Sequence, residues 1–128
     1  MICIGLLLLL PSCNEDAKHR DKHEQILWKM LELDEVAGVK DIAFTGKTIT
    51  VIYEASEADD YDTQLIANWG SIFGAGANFP YEEIAIITTV NDVPYTKLTA
   101  SQQLVLAYVH GDISDTQFWE NVEFESLE

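Results

Sequence analysis

Residues 39–55 read VKDIAFTGKTITVIYEA. Apolar side chains recur at every second position, Ile42 and Phe44 before Thr45-Gly46-Lys47, then Ile49, Val51 and Tyr53 after it. Successive strand residues point to opposite faces of a sheet, so this period of two predicts strands over 39–44 and 48–55, each with one buried and one wet face. The short break containing Gly46 makes them a hairpin. A sheet with one wet face is expected to be antiparallel and to need a cover on its other side.

The flanking sequence supplies that cover. Before the hairpin, Ile26, Leu27, Met30, Leu31, Leu33 and Ala37 recur at three and four residues and Gly38 follows, which predicts a helix over 22–37 with a glycine C-cap. After it, the acidic stretch 56–62 reads as a loop with Asp59 or Asp60 capping the next helix. That helix carries Leu65, Ile66, Trp69, Ile72 and Phe73 and ends near Gly76 and Asn78-Phe79-Pro80. Its small residues, Ala67, Gly70, Ser71, Gly74 and Ala75, are expected to let it approach the sheet closely, at some cost in helix propensity.

A second hairpin follows. Residues 83–90 carry apolar groups on both faces, the pattern of an inner strand, and Asn91-Asp92 is a turn pair. Residues 93–98 return as a strand that Pro94 places at an edge or at its own start. Thr99 to Gln102 and Ser114 to Gln117 both have capping-box spacing, and with Leu104, Val105 and Tyr108, then Phe118, Trp119 and Val122, they predict a helical hairpin over 101–120. Phe124 and Leu127 lie in an acidic tail.

The order is α-β-β-α-β-β-α-α. The fold class is α+β, a four-stranded antiparallel sheet built from two hairpins with helices packed on one face. In order of elements alone it is similar to the secretion-chaperone class of α+β folds, a likeness that implies architecture and not function.

A chain of 128 residues, 48% of them hydrophobic, suffices for one core. Its two cysteines, Cys3 and Cys13, stand in the first thirteen residues. A disulfide framework, a zinc ribbon and a thiol nucleophile in the folded part are therefore excluded. The net charge of −15, from 22 acidic against 7 basic residues, repels phosphate backbones and argues against nucleic acid as a partner.

Ahead of the domain, residues 1–10 form the most apolar run in the chain, about half the length a bilayer span needs. The run ends in Leu10-Pro11-Ser12-Cys13, and the ten residues after Cys13 are polar except Ala17. An apolar run, Leu at −3, a small residue at −1 and then Cys resembles the lipobox of bacterial lipoproteins. Pro11 at −2 and the lack of Lys or Arg before the run depart from that pattern. The resemblance covers residues 1 to about 14 and implies a signal peptide over 1–12 and lipidation of Cys13. The charged residues that follow read as a tether over 13–23, free-standing or merging into the next helix, and the rest as one acidic domain over 24–128. The resemblance also implies a membrane partner reached through lipid at the cell envelope. Asn14 at +2 is not the Asp that resembles an inner-membrane retention signal, so the implied destination is the outer membrane or cell surface.

Within the domain, no motif compels a chemistry. Glu15, His19 and His23 would share a helix face, yet they lack a fourth ligand and the Glu of H-E-x-x-H. Asp59, Asp60 and Asp62 lack the Gly and Glu of a calcium loop. Gly74-Ala-Gly76 closes a helix instead of opening one, so it is not a dinucleotide loop. His110, near a helix C-terminus, suits the dipole there. Glu82 and Glu83 are adjacent in sequence and would point to opposite faces of a strand. No cofactor, metal site or catalytic set is expected. The aromatic residues Phe79, Tyr81, Tyr95, Tyr108, Phe118 and Trp119, or the sheet edge near Pro94, are the expected contact for a protein or peptide. The alternatives are a lipid-anchored enzyme using acidic residues and an unlipidated soluble domain.

Overall fold

A computed structural model describes residues 11–55 and 61–127, with side chains described for 22–55 and 64–127. Helix α1 (Pro11–Leu33) is followed by strands β1 (Val39–Thr45) and β2 (Thr48–Glu54), helix α2 (Tyr61–Gly76) and strands β3 (Glu83–Val90) and β4 (Val93–Ser101). Helices α3 (Gln102–Val109) and α4 (Asp115–Asn121) and strand β5 (Glu123–Ser126) complete the chain. The fold is α+β. The 13–23 stretch expected as a tether is helical and continuous with the helix expected from residue 22. The signal peptide expected over 1–12 lies outside the described residues apart from Pro11 and Ser12.

The sheet differs from expectation in two ways. Its order is β1-β2-β3-β4-β5, and although both hairpins are antiparallel, β2 and β3 pair in parallel, Ile49 opposite Ile84 and Val51 opposite Ile86. Helix α2 returns the chain to the starting end of β2 before β3 begins, as a parallel neighbour requires. The acidic tail also forms β5, which pairs antiparallel with β4 across Thr96–Ser126 and Thr99–Glu123. The mixed sheet of five strands therefore replaces the antiparallel four.

One face of the sheet builds the core. Ile42 and Phe44 of β1, Ile49, Val51 and Tyr53 of β2, Ile84 and Ile86 of β3 and Leu98 and Ala100 of β4 are buried under the helices. From α1 come Leu27 and Leu31, fully buried, while Ile26 and Leu33 of the expected stripe face outward. Fully burying a Leu or Ile side chain stabilises by about 1.5–3 kcal/mol, so this layer dominates the fold's stability. Helix α1 ends at Leu33, and Glu35, not Gly38, takes the left-handed conformation there, with its φ at 59°.

The β3–β4 turn is tied down by charge. Asn91 and Asp92 both have positive φ, 52° and 66°. The carboxylate of Glu54 accepts from the Thr89 hydroxyl at 2.6 Å, from the Asn91 amide at 2.7 Å and from the Asp92 amide at 3.1 Å. Lys40 forms an ion pair with Asp92. The Thr89 hydroxyl holds the Glu54 carboxyl below the usual carboxylate range, opposed by desolvation and reinforced by the Asn91 amide and Lys40. A depressed folded pKa stabilises above the unfolded value and loses that effect as pH falls through the folded one. The melting-temperature gap between the native chain and Glu54→Gln is therefore expected to be present at pH 7 and to close below about pH 4. A gap that stays constant down to pH 3 rules out this latch.

Candidate functional site

Helix α2 has two working faces. The inner one buries Ile72 and Phe73 and sends hydrogen bonds into the sheet, Asn68 Nδ2 to the Tyr53 hydroxyl at 2.6 Å and Trp69 Nε1 to Thr88 Oγ1 at 2.9 Å. Burial of these polar groups is tolerable because each finds a partner. The adjoining face carries Ile66, Ala67, Gly70 and Ser71 and, with Tyr108, Asp115 and Trp119, lines a cleft of about 540 Å³. That volume lies within the range of ordinary binding pockets.

The cleft's far wall is built by aromatic packing. Phe118 is fully buried and stacks on Tyr108, with ring centroids 4.5 Å apart and 14° between planes. Its edge meets Phe73 at 5.8 Å and Trp119 at 4.9 Å. Trp119 in turn lies 6.3 Å from Trp69. Helix α4, short by itself, is set by a complete capping box: the Gln117 amide donates to Ser114 Oγ and the Ser114 amide to Gln117 Oε1. Asp115 in its first turn suits the helix dipole. The Tyr108 hydroxyl donates to the Asp115 carboxylate, and that bond, then partial burial, then the charge itself hold the phenol above its ordinary range. Tyr108 therefore stays a neutral donor, and among the described residues the second oxygen of Asp115 has no hydrogen-bond donor.

The small residues of α2 divide: Ala75 is buried in the core as the sequence suggests, but Gly70 and Gly74 make no close approach to the sheet. A Cβ at Gly70 or Gly74 would meet nothing within 4 Å, so this face is open. At Gly76 a Cβ would come within 3.1 Å of Ile84, so only the end of the helix uses a glycine to close on the sheet.

The sheet's other face is a second surface. Thr48, Thr50 and Ile52 of β2 and Ile87 of β3 are half-buried there. At one end, Glu83, Lys97, Thr99, Glu123 and Glu125 border a groove of about 370 Å³. Thr48 Oγ1 donates to Glu83 Oε1 at 3.2 Å, and Lys97 stands opposite Glu125 across β4 and β5. Opposite-charge neighbours of this kind are the usual way a wet sheet face stabilises itself.

The expected contact residues divide. Tyr108, Phe118 and Trp119 meet at the cleft, but Phe79 and Tyr81 sit elsewhere, in a cluster with Phe44 and His23. His23 lies 5.4 Å from the Phe79 ring, and its Nδ1 is buried without a hydrogen-bond partner among the described residues. Tyr95 falls at a bulge, where Thr88 pairs with Thr96 and Thr89 with Pro94. The edge near Pro94 is not free: β5 pairs along β4, and the Leu127 amide donates to the Tyr95 carbonyl at 2.9 Å. The actual edges are β5 and β1, where Asp41 Oδ1 accepts from the Ile42 amide at 2.9 Å.

Glu82 and Glu83 part company, Glu82 pairing with Lys47 at 3.5 Å and Glu83 with Thr48. His110 is the exposed C-cap of α3. Asp59 and Asp60, and the side chains of Cys13, Glu15, His19 and Asp62, lie outside the described residues. Among the described residues no group of three or more His, Cys, Asp or Glu stands close enough to hold a metal ion. No helix described is long and apolar enough to cross a membrane.

No family profile, curated protein or solved structure matches this chain. The similarity in element order to secretion chaperones thus carries no argument, and geometry alone must say what the cleft does. Sequence reading missed Ile66 and Asp115 as cleft residues. The signal was present: Ala67, Gly70, Ser71 and Gly74 recur at three and four residues beside Ile66, a small-residue face that served equally well for a sheet contact.

Proposed function

We propose that this chain is a bacterial envelope lipoprotein, acylated at Cys13, whose acidic domain binds a protein or peptide at a distance from the membrane. The continuity of α1 carries the reading: one helix joins the residue that resembles a lipobox cysteine to Leu27 and Leu31 in the core. His23 is the earliest described side chain that packs on the core. At 1.5 Å rise per residue, Cys13 to His23 spans about 15 Å.

Charge gives that spacing a purpose. Glu15, Asp16 and Asp21 cancel Lys18, Arg20 and Lys22, so the whole excess of −15 falls after residue 23. Anionic headgroups would repel such a domain, and screening at physiological salt acts over about 8 Å. A helical spacer of twice that length relieves the repulsion, and two acyl chains on the mature N-terminus would supply a firm anchor. The absence of Asp at residue 14 favours the outer membrane or cell surface over the inner membrane.

Intact mass and detergent-phase partition test the anchor. Expressed in a bacterium, the native chain is expected to begin at Cys13, carry lipid and partition into detergent, and Cys13→Ala to lose all three traits. If both forms stay unprocessed and aqueous, the anchor reading is wrong and the domain is soluble.

A further inference from the structure

We infer that the cleft between α2 and α4 receives one face of a cationic amphipathic helix from another protein. The inference rests on the binding reading above but not on lipidation of Cys13. Three observations carry it.

The first is shape. Ala67, Gly70, Ser71 and Gly74 run along α2 at helical spacing, and the absent Cβ atoms at Gly70 and Gly74 leave open space instead of a contact within the chain. Small residues in such a row allow the backbone of a second helix to come close, with its side chains seated between the flanking ones. The second is the apolar wall. Ile66 stays 50% exposed on one side, and Trp119 is half-buried on the other, held by Phe118 and Phe73. An incoming Leu or Phe has a rigid aromatic surface to cover, the usual anchor of a helix-in-groove complex.

The third is charge. Helices α2, α3 and α4 contain no Lys or Arg, and their charged residues are Asp62, Asp115 and Glu120. Asp115 lies in the cleft with its position fixed by the Tyr108 hydroxyl. A Lys or Arg beside the incoming apolar residue would pair with the free oxygen of Asp115. The same charge disfavours a second copy of this chain, which would bring carboxylates against carboxylates.

The test uses the full chain carrying Cys13→Ala, so that acyl groups stay out of the measurement. The probe is a synthetic 18-residue helix with Leu on one face and Lys on the other, compared with a Lys-matched peptide in which every Leu is Gln. Titration calorimetry and amide NMR shifts are read for the parent and three variants, with circular dichroism as the control for folding. A Cβ at residue 70 would meet no atom within 4 Å, and Gly70→Leu replaces glycine with a better helix former while projecting a larger side chain into the cleft, so it is expected to fold.

The Leu-Lys helix is expected to shift the amides of residues 66–74 and 115–119 and the Trp119 indole. Gly70→Leu is expected to weaken binding at least tenfold and Asp115→Asn about fivefold, whereas Glu125→Gln on the opposite face of the sheet leaves it within twofold. Equal affinity for the Gln-Lys peptide, or for Gly70→Leu, shows attraction by net charge alone and overturns the inference. So does a parent dimer that Gly70→Leu dissociates, which would make the cleft a self-association surface.

Discussion

Phe118→Ala is expected to lower stability by about 3–5 kcal/mol and the melting midpoint by roughly 10–20 °C. The ring is fully buried and is the one that Tyr108, Phe73 and Trp119 all touch. Truncation removes its own burial, opens a cavity and leaves α4, seven residues long, with little besides its capping box to hold it. Helices this short are marginal without tertiary packing. The cleft wall should therefore loosen before the sheet does, visible as loss of near-ultraviolet dichroism from Trp119 at temperatures where β-sheet signal persists. A midpoint within 3 °C of the native value would show that α4 is held by something other than this ring.

Gly38→Ala is the second large effect, and it acts through the backbone. Gly38 has φ at +97°, and a Cβ there would stand 2.5 Å from the Glu54 carbonyl oxygen and 3.2 Å from the Tyr53 ring. An L-residue in that conformation costs about 1–3 kcal/mol by itself. The overlap with a backbone oxygen cannot be relieved by turning a side chain, because the Glu54 amide is bonded to the Gly38 carbonyl at 2.7 Å. Forcing strands apart at a packed site adds about 1–3 kcal/mol. The expected total is roughly 2–6 kcal/mol, read as a shift in denaturant midpoint. Gly46→Ala, with positive φ but open space around it, should cost distinctly less. Equal losses at the two positions would mean that conformation alone, and not the approach of β2, sets the requirement.

What local pattern encodes was legible. Period-two alternation around Gly46 and around Asn91-Asp92 located both hairpins, and the apolar groups on both faces of β3 marked it as an inner strand. The Ser114 capping box was read directly. The Thr99 box was displaced: β4 runs on to Ser101, whose hydroxyl caps α3, while Gln102 binds the Ala77 and Phe79 carbonyls.

Strand direction was not legible. A half-buried strand alternates in the same way whichever way its neighbour runs, so residues 48–54 carry no sign of the parallel seam. The apolar groups on both faces of 83–90 fit an inner strand of either kind and were read as burial, not as direction. Strand β5 was hidden because Glu123, Phe124, Glu125 and Ser126 are all exposed, and pairing through the backbone leaves no trace in such side chains. The first half of α1 was read as a tether because it is polar, but helices outside a core need no apolar stripe.

The cleft depends on a fact no single segment holds, that α4 comes to lie beside the open face of α2. Composition shows only the sign of its charge, since Lys97 is the only Lys or Arg after residue 47.

The sheet's spatial order is the same as its order along the chain, from β1 through to β5. Every strand is thus added at the outer edge of those already made, and no later strand has to be inserted between two earlier ones. Any N-terminal portion of the chain that ends after a complete strand contains an uninterrupted part of the final sheet. A polypeptide delivered N-terminus first can therefore extend its sheet vectorially, with no early pairing that must be undone.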